Sequence, residues 1–333
     1  MAKNRFNCHV SRFAFVFVLA AVLSSCWISG ATTFTENFSS NPLQNGWAVF
    51  GDTNLFQWDS ANQNLAVTWD SSQSNSYFYH PLGTTLGKAD AFNVDFDIQL
   101  NDIQWTNSFQ IAIGLLNYSD ATNAGFSRPL AYTPNIFEFN YFPDSGDGFG
   151  DPNIAASMTD ATAITNVPDF DFIYDVLSMN TGVTYHVTLT HTAGEGSISA
   201  TVLTNGQIYT TMPHFYSQPL ADFQLDTLSI SSYSGAGQDP SYVGSILAHG
   251  TVDNFVVTLP PPVRNLVGAF SNNVWQVQFN TYSNWLYTLQ RSTDLLSWSD
   301  ASASVAGSGD VISLSDTNAL ANQAFFRIRA QQP

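Results

Sequence analysis

A strict period-two alternation at residues 92–101 constrains the fold of this chain more than any other sequence feature. Phe92, Val94 and every second residue to Leu100 are apolar, whereas the residues between them are polar. Successive side chains of an extended strand point to opposite faces, so this run predicts a strand with one buried and one polar face. Shorter alternations of the same kind recur at residues 65–69, 109–115 and 137–141.

The composition suits extended strands better than helices. Charged residues make up 11% of the chain and aromatic residues 14%, and Lys88 is the one lysine after residue 3. Lys and Glu, which favour helices, are therefore scarce. Asn205 and Gly206 form a residue pair that tolerates positive φ in a tight hairpin turn. We expect an all-β chain whose antiparallel strands form a two-sheet jelly-roll sandwich, followed by a small C-terminal β-sandwich.

Three consecutive prolines at residues 260–262 mark the best domain boundary. They remove three backbone donors and favour an extended polyproline conformation, which ends a strand and makes a stiff spacer. We interpret residues 32–259 as one large β domain and residues 263–333 as a second, small one.

The strand landmarks of the large domain follow a definite order. An opening strand at residues 34–38 and a Tyr-x-Val-x-Leu meander from Tyr185 precede a closing strand at residues 252–257, and the Trp-rich strands between carry Trp47, Trp58 and Trp69. This layout resembles the concanavalin A-like, laminin-G-like jelly roll over most of residues 32–259. The resemblance implies a concave sheet that such domains often use to bind glycans, although a fold alone does not supply a function.

The small domain carries its own pattern at residues 285–298, 314–318 and 324–329. These segments resemble a short fibronectin type III-like module found at the ends of many exported proteins of environmental bacteria. The resemblance implies an attachment or spacer module without catalysis. Trp285 and Trp298 are expected to be core residues, because small sandwiches need large aromatic side chains to bury enough area.

The first 31 residues have the layout of a bacterial export signal. Lys3, Arg5 and Arg12 form a basic head, and an uncharged apolar run follows at residues 13–23. The run is shorter than the roughly 20 residues that a membrane-spanning helix needs. We therefore predict that the protein works outside the cytoplasm of a bacterial cell.

This signal contains two alternative cleavage sites. Residues 23–26 resemble a lipoprotein box, in which Cys26 becomes the lipidated first residue of a chain anchored at the cell envelope. Residues 29–31 form an ordinary secretory site, and cleavage after Ala31 releases a secreted chain that contains no cysteine.

The chain is strongly acidic, with a formal net charge of −17 at pH 7. Proteins that bind nucleic acids neutralise phosphates with Lys and Arg, so this charge argues against a nucleic-acid partner. It argues equally against adsorption of the protein body to an anionic membrane, which leaves a lipid anchor at Cys26 as the membrane contact. No feature of the sequence indicates the oligomeric state.

The polar face of the 92–101 strand carries the predicted ligand-binding residues. Asp95, Asp97 and Gln99 follow one another at a spacing of about 7 Å, and such a row of carboxylates and amides can hydrogen-bond sugar hydroxyls. An exposed aromatic ring nearby would stack on the sugar, and the candidates are Trp105, Tyr118, Tyr132, Tyr141 and Phe142. The alternative is an ordinary water-facing sheet.

Two sets of acids suggest a structural calcium ion, which prefers hard oxygen ligands. By strand parity, Glu36 and Asp253 face the apolar side of the first and last strands, where a carboxylate is costly unless it is paired or metal-bound. The alternative is that both cap backbone N–H groups. The second set, Asp144, Asp147 and Asp151, lies in a Gly-rich loop whose spacing fails the EF-hand pattern and equally suits a solvated loop.

A catalytic constellation is hard to assemble from this chain. The sequence contains no Gly-x-Ser-x-Gly elbow, no His-Glu-x-x-His and no phosphate loop. Glycoside hydrolysis needs two carboxylates at a fixed separation. Asp95, Asp97 and Glu138 would supply them if their strands met on a concave sheet, but solvent exposure is the simpler interpretation.

The sequence thus predicts a non-catalytic extracellular or surface-anchored protein that binds polysaccharide or a cell-surface glycan. Two alternatives stay open. One is a structural or adhesive component of the envelope without a small ligand. The other is a polysaccharide-degrading enzyme with an unrecognised pair of carboxylates.

Overall fold

A computed structural model describes most of the chain after the predicted export signal. The described residues are 32–107, 109–126, 128, 133–143, 152–161, 171–194, 198–210, 221–235, 240–283, 285–318 and 324–331. Cys26 and the rest of residues 1–31 lie outside them, as do Tyr132, Asp144, Asp147 and Asp151. Among the described residues, no helix is long and apolar enough to cross a membrane.

The described part of residues 32–259 is built from strands and one short α-helix. In chain order these elements are β1 (Thr32–Glu36), β2 (Ala48–Phe50), β3 (Phe56–Asp59), β4 (Asn64–Asp70), β5 (Ser76–Leu86), β6 (Phe92–Trp105), β7 (Ile111–Leu116), α1 (Tyr118–Ala121), β8 (Ile136–Phe142), β9 (Asn153–Thr159), β10 (Asp171–Val176), β11 (Thr184–His191), β12 (Ile198–Thr204), β13 (Gln207–Thr210), β14 (Leu225–Ser232) and β15 (Ile246–Leu259).

Residues after the proline triplet form strands only, within the part that the structure describes. They are β16 (Arg264–Ser271), β17 (Val274–Asn280), β18 (Leu286–Ser292), β19 (Ser299–Asp300), β20 (Val305–Ala306), β21 (Val311–Asp316) and β22 (Phe325–Gln331).

Two antiparallel sheets make up the large sandwich. The eight-stranded sheet has the order β13-β12-β11-β6-β15-β4-β3, with β1 also paired to β15, and the seven-stranded sheet has the order β10-β9-β8-β7-β14-β5-β2. The central neighbours in both orders are distant in sequence, as in β6 beside β15 and β7 beside β14. This arrangement confirms the predicted all-β, two-sheet antiparallel sandwich.

The core between the sheets follows the alternation of the sequence. Phe92, Val94, Phe96, Ile98 and Leu100 are each 2% exposed or less, whereas the residues between them are partly exposed. Phe96 packs against Phe139 of β8 and Phe255 of β15, with ring centroids 5.9 and 5.5 Å apart. The seven-stranded sheet differs, because every residue of β7 and β9 is buried. Its second face is therefore also covered.

The first and last strands of the large sandwich are neighbours, as expected for a jelly roll. Thr32 pairs with Leu259, and Glu36 pairs with Phe255. The expected hairpin between β12 and β13 is also present, since Asn205 and Gly206 both have positive φ angles, of 48° and 75°. The hairpin prediction is confirmed, because it depends on local turn chemistry.

The C-terminal strands form two small sheets around a separate core. One sheet has the order β16-β17-β21, and the other has β19-β18-β20 with β22 also paired to β18. Trp285 is 7% exposed and belongs to the core of this small sandwich, as expected. Trp298 is instead half-buried, with the Arg327 guanidinium 4.3 Å above its ring.

A polar contact joins the small sandwich to the large one. Asp90, in the connection between β5 and β6, forms an ion pair with Arg264 of β16 and accepts a hydrogen bond of 2.9 Å from the Tyr282 hydroxyl. Pro262 is buried, and its carbonyl accepts a hydrogen bond of 2.9 Å from the Tyr287 hydroxyl. The proline segment is therefore packed between the two sandwiches rather than extended in solvent.

Candidate functional site

The predicted polar row lies on the outer face of the eight-stranded sheet. The carboxylates of Asp95 and Asp97 are 24% and 23% exposed, and their oxygens contact neighbouring strands. The Thr188 hydroxyl donates to Asp95 at 2.6 Å, and His186 Nδ1 lies 2.7 Å from Asp97. Gln99 accepts a long hydrogen bond of 3.4 Å from Thr184. The row is thus already cross-linked by side chains of the same sheet.

The predicted aromatic partners do not gather beside this row. Trp105 is 46% exposed but lies at the far end of β6. Tyr141 is in the core, where burial raises the pKa of its hydroxyl, and that hydroxyl accepts a hydrogen bond of 3.2 Å from the Met179 N–H. Its ring therefore offers no surface for stacking. Tyr132 lies outside the described residues, so its role stays a prediction.

The structure does not bring Glu36 and Asp253 to one site. Glu36 is buried, and its two oxygens accept hydrogen bonds from the Phe38 N–H at 2.7 Å and from Trp47 Nε1 at 3.1 Å. A bulge in β15 places two residues opposite Phe96, and Asn254 there has a φ of 55°. This extra residue reverses the strand parity, so the parity expectation for Asp253 is wrong.

Asp253 consequently faces outward beside Asp97, its partner in the register. Partial burial, together with the nearby charges of Asp97 and Glu36, raises the pKa of Asp253. The two acids lie on opposite faces of the sheet and do not fit a calcium site. Among the described residues, no cluster of three or more His, Cys, Asp or Glu could hold a metal ion. Calcium binding by the loop acids Asp144, Asp147 and Asp151 stays a prediction.

Glu138 lies on the other sheet from Asp95 and Asp97 and is 1% exposed, so these acids do not form a catalytic pair. Arg128 donates to Glu138 at 3.1 Å, and the Tyr233 hydroxyl donates to its second oxygen. Burial raises the pKa of Glu138 despite the Arg128 charge. Burial and the charge of Glu138 raise the pKa of Tyr233 as well. The cluster is closed to solvent and acts as a buried ion pair within the sheet.

A cleft opens where β5 and β14 lose their regular pairing. Leu86 pairs with Leu225 and Pro81 pairs with Thr227, so the residues between Pro81 and Leu86 face Asp226 alone. Pro81 has no N–H for the ladder, and Gly83 has a φ of 68°, which a side chain would strain. The excess residues of β5 form a bulge, and Gly83, Thr84 and Thr85 of this bulge line the cleft.

We call this feature the tyrosine cleft. Its volume is about 360 Å³, near the lower end of the range of small-molecule sites. The cleft is lined by Tyr79, Pro81, Gly83, Thr84, Thr85, Tyr118, Asp226 and Thr227.

Two tyrosine rings form the aromatic part of the tyrosine cleft. The ring centroids of Tyr79 and Tyr118 are 4.6 Å apart at an interplanar angle of 36°. The Tyr79 hydroxyl donates to the Tyr118 hydroxyl at 3.1 Å. Burial and this hydrogen bond raise the pKa of Tyr79 to about 12. Because Tyr79 is the donor in this pair, the Tyr118 hydroxyl can donate a hydrogen bond to a ligand in the cleft.

Two oxygen atoms in the tyrosine cleft have no hydrogen-bond partner among the described residues. Asp226 Oδ1 accepts from the Tyr118 N–H at 2.9 Å and from the Thr227 hydroxyl at 2.8 Å, which leaves Oδ2 unoccupied. Thr84 is 4% exposed, and its buried hydroxyl has no partner. Because the Thr84 oxygen is buried, Asp226 Oδ2 is the one of these two oxygens that a ligand in the cleft can contact.

The short helix α1 holds Tyr118 in place through polar contacts at both of its ends. Asn117 precedes the helix, accepts from the Asp120 N–H at 3.1 Å and donates to the Gln224 carbonyl at 3.1 Å. Asn135, in the left-handed region at a φ of 53°, donates to Asp120 at 2.7 Å. Asn135 also accepts from the Gln224 N–H at 2.9 Å. The position of Tyr118 is thus set by the chain before β14 and β8.

A second, smaller pocket adjoins the tyrosine cleft. It has a volume of about 210 Å³ and shares Pro81 and Gly83 as lining residues. Phe34 and His80 form its aromatic side, with ring centroids 4.3 Å apart. Burial lowers the pKa of His80, so its imidazole is neutral at neutral pH.

Sequence analysis identified one residue of the tyrosine cleft, Tyr118, as a candidate aromatic partner. It missed Tyr79, Thr84 and Asp226. A signal was present, because a proline and a glycine inside a strand-forming segment indicate a bulge. The long-range partner that completes the cleft, Asp226 of β14, had no local signal.

Comparison with known proteins yields low similarity to solved structures and no family. No family model matches the chain, and no curated protein does. Peanut lectin with a nine-residue peptide is 15% identical, at a TM-score of 0.45 and with 69% of this chain and 98% of that chain covered. Lectin I-B4 from Griffonia simplicifolia, in a metal-free form, is 10% identical, at a TM-score of 0.45 and with 68% of this chain and 99% of that chain covered.

The alginate lyase Aly36B is also similar, at 11% identity, a TM-score of 0.40 and coverage of 69% of this chain and 97% of that chain. At these identities and TM-scores, the similarity carries no argument about this chain. The described sheets define the class: an all-β protein made of an antiparallel jelly-roll sandwich and a small C-terminal β-sandwich.

Proposed function

We propose that the large sandwich is a non-catalytic domain that binds a polysaccharide or cell-surface glycan in the tyrosine cleft. One observation carries this proposal. The cleft combines two tyrosine rings, Tyr79 and Tyr118, with the unoccupied Oδ2 of Asp226.

The chemistry of a sugar matches these groups. A sugar ring has an apolar C–H face, which packs on aromatic rings, and a rim of hydroxyls that both donate and accept hydrogen bonds. The Tyr118 hydroxyl can donate, and Asp226 Oδ2 can accept. A hydroxyl-rich ligand would therefore satisfy both groups.

Binding is favoured over hydrolysis by the charges in the cleft. Glycosidases use two carboxylates across the scissile bond. Asp226 is the one acid among the described residues that line the tyrosine cleft. A domain of this kind holds a glycan without cleaving it. The alternative of a structural envelope component without a ligand is an outcome of the test below.

A glycan array of the mature chain tests the proposal, followed by titration of the best ligand against two variants. We expect Tyr118→Ala to weaken binding about tenfold or more, because it removes a stacking ring and a donor. Trp105→Ala is the matched control, since Trp105 is an exposed aromatic on the other sheet. Equal losses in both variants, or no ligand on the array, would reject the cleft as a glycan site.

The predicted polar row is a competing location for the ligand. Asp97→Asn changes that row and leaves the tyrosine cleft intact, because Asp97 belongs to the eight-stranded sheet. We expect unchanged affinity in Asp97→Asn. A loss confined to Asp97→Asn would move the glycan site to the outer face of the eight-stranded sheet.

We also propose that the protein is exported and carries a lipid anchor at Cys26. This proposal rests on the pattern of residues 1–31, which lie outside the described residues. Intact-mass measurement of the membrane fraction should give a chain that begins at acylated Cys26. A Cys26→Ala variant should appear in the soluble fraction, and a wild-type chain beginning at Thr32 would reject the anchor.

The loop acids Asp144, Asp147 and Asp151 are the residues at which we propose calcium binding. We propose that calcium raises the melting temperature of the wild-type chain through this loop, and that Asp147→Asn removes the effect. An unchanged melting temperature after addition of a chelator would reject a structural ion.

A further inference from the structure

The geometry of the tyrosine cleft points to a ligand class: we infer that the cleft selects uncharged, hydroxyl-rich glycans and rejects glycans that carry carboxylate or sulfate groups. The inference rests on the proposed glycan binding and further specifies the charge of the ligand. The observation that supports it is the position of Asp226 in the cleft.

Asp226 presents a fixed negative charge to a ligand. The Tyr118 N–H and the Thr227 hydroxyl both contact Oδ1, at 2.9 and 2.8 Å, and orient the carboxylate. No hydrogen bond or salt bridge engages Oδ2 among the described residues. This oxygen can only accept, so the ligand atom against it must be a donor, such as a hydroxyl.

No cationic side chain balances this charge among the described residues that line the cleft. The lining side chains other than Asp226 are tyrosine, proline, glycine and threonine. The chain as a whole carries a formal net charge of −17, which adds a repulsive field for anionic ligands. A uronate or sulfate group would meet like charge without an Arg or Lys to receive it.

Asp226 also disfavours a purely apolar ligand. Such a ligand would displace solvent from Oδ2 without supplying a donor, which costs free energy. The cleft thus discriminates against both anionic and purely apolar molecules.

The experiment measures the ratio of two affinities. The mature chain is titrated with a neutral glucan tetrasaccharide, a neutral galactan tetrasaccharide and an oligogalacturonate tetrasaccharide, at low salt and at 0.5 M NaCl. We expect a neutral ligand to bind at least tenfold more tightly than the oligogalacturonate. The difference should shrink at high salt, because ions screen the repulsion between exposed charges.

Asp226→Asn supplies the matched variant. Asparagine keeps the oxygen that contacts the Tyr118 N–H and Thr227 but replaces Oδ2 with an uncharged donor. We expect the variant to lose affinity for the neutral ligand and to lose most of its discrimination against oligogalacturonate. Asp253→Asn, on the outer face of the other sheet, should retain the wild-type ratio.

The outcomes separate this inference from the proposed function. If oligogalacturonate binds as tightly as the neutral glycans, the selectivity is wrong and the glycan site stands. If no saccharide binds, both are wrong. Should Asp226→Asn fail to fold, the salt dependence of the wild-type affinity ratio still tests the selectivity. A ratio that does not change with salt would contradict an electrostatic origin.

Discussion

Asp90 and Arg264 form an ion pair that joins the large and small sandwiches. Asp90 is 4% exposed, and its second oxygen accepts a hydrogen bond of 2.8 Å from the Gly87 N–H. Arg264 lies at the start of β16, with its guanidinium 4.5 Å from the centre of the Tyr282 ring. A buried carboxylate with three donors sits at the boundary between the two cores, so the two sandwiches are mechanically connected.

Removing the charge of Asp90 should destabilise the whole chain. Asp90→Asn removes the charge that pairs with the partly buried Arg264, and we expect a cost of about 2 kcal/mol. Urea unfolding measures the loss. Asp300→Asn is the control, because the Arg329–Asp300 pair is 41% and 47% exposed and should contribute less than about 1 kcal/mol. Equal effects in the two variants would contradict the role of Asp90 as a connection.

The stability of the large sandwich should depend on pH through Glu138. Burial raises its folded-state pKa above the ordinary value of 4.5, so the native state holds the proton more tightly than the unfolded state does. The stabilising contribution is complete below pH 4.5 and is lost as pH rises through the folded pKa.

Unfolding free energies of wild type and Glu138→Gln between pH 4 and 8 measure this contribution. The variant keeps a hydrogen-bonding side chain beside Arg128 and lacks the titrating carboxyl. It should therefore show a smaller decline with rising pH than the wild type. Identical slopes would show that Glu138 has no raised pKa.

Gly83 should contribute both to the stability of the fold and to ligand binding in the tyrosine cleft. Gly83→Ala forces a side chain into a φ of 68°, which costs about 1–2 kcal/mol, and narrows the wall that Gly83 contributes. Gly182→Ala is the matched control, because Gly182 has a φ of 74° and open space at its Cβ position. Both variants should lower stability similarly, and only Gly83→Ala should weaken glycan binding. Equal affinities in the two variants would place the ligand elsewhere.

Glu36 should stabilise the fold without a metal ion. Glu36→Ala removes the acceptor of Trp47 Nε1, which is buried, and should cost about 1–3 kcal/mol. Asp253→Ala, at a partly exposed position, should change stability by less than about 0.5 kcal/mol. Melting with and without a chelator completes the test. A chelator-dependent loss that disappears in Glu36→Ala would restore a metal site at Glu36.

Prediction from sequence succeeded where the evidence was local. The alternation at residues 92–101 defined the buried face of β6, and Asn205 with Gly206 defined a hairpin. It failed at Asp253, because one extra residue in β15 reversed the parity that the argument assumed. It also gave the polar residue Glu138 a solvent-facing role, whereas Arg128 and Tyr233 cover that residue from distant parts of the chain.

The sequence by itself determined the fold class and the inward-facing residues of the regular strands, since polarity and a two-residue period are local properties of the chain. Only the tertiary structure decided where a ligand could bind. The tyrosine cleft needs Tyr79 of β5, Tyr118 of α1 and Asp226 of β14 at one place. Strand partners and register shifts bring these residues together, and both depend on pairing between segments far apart in the sequence.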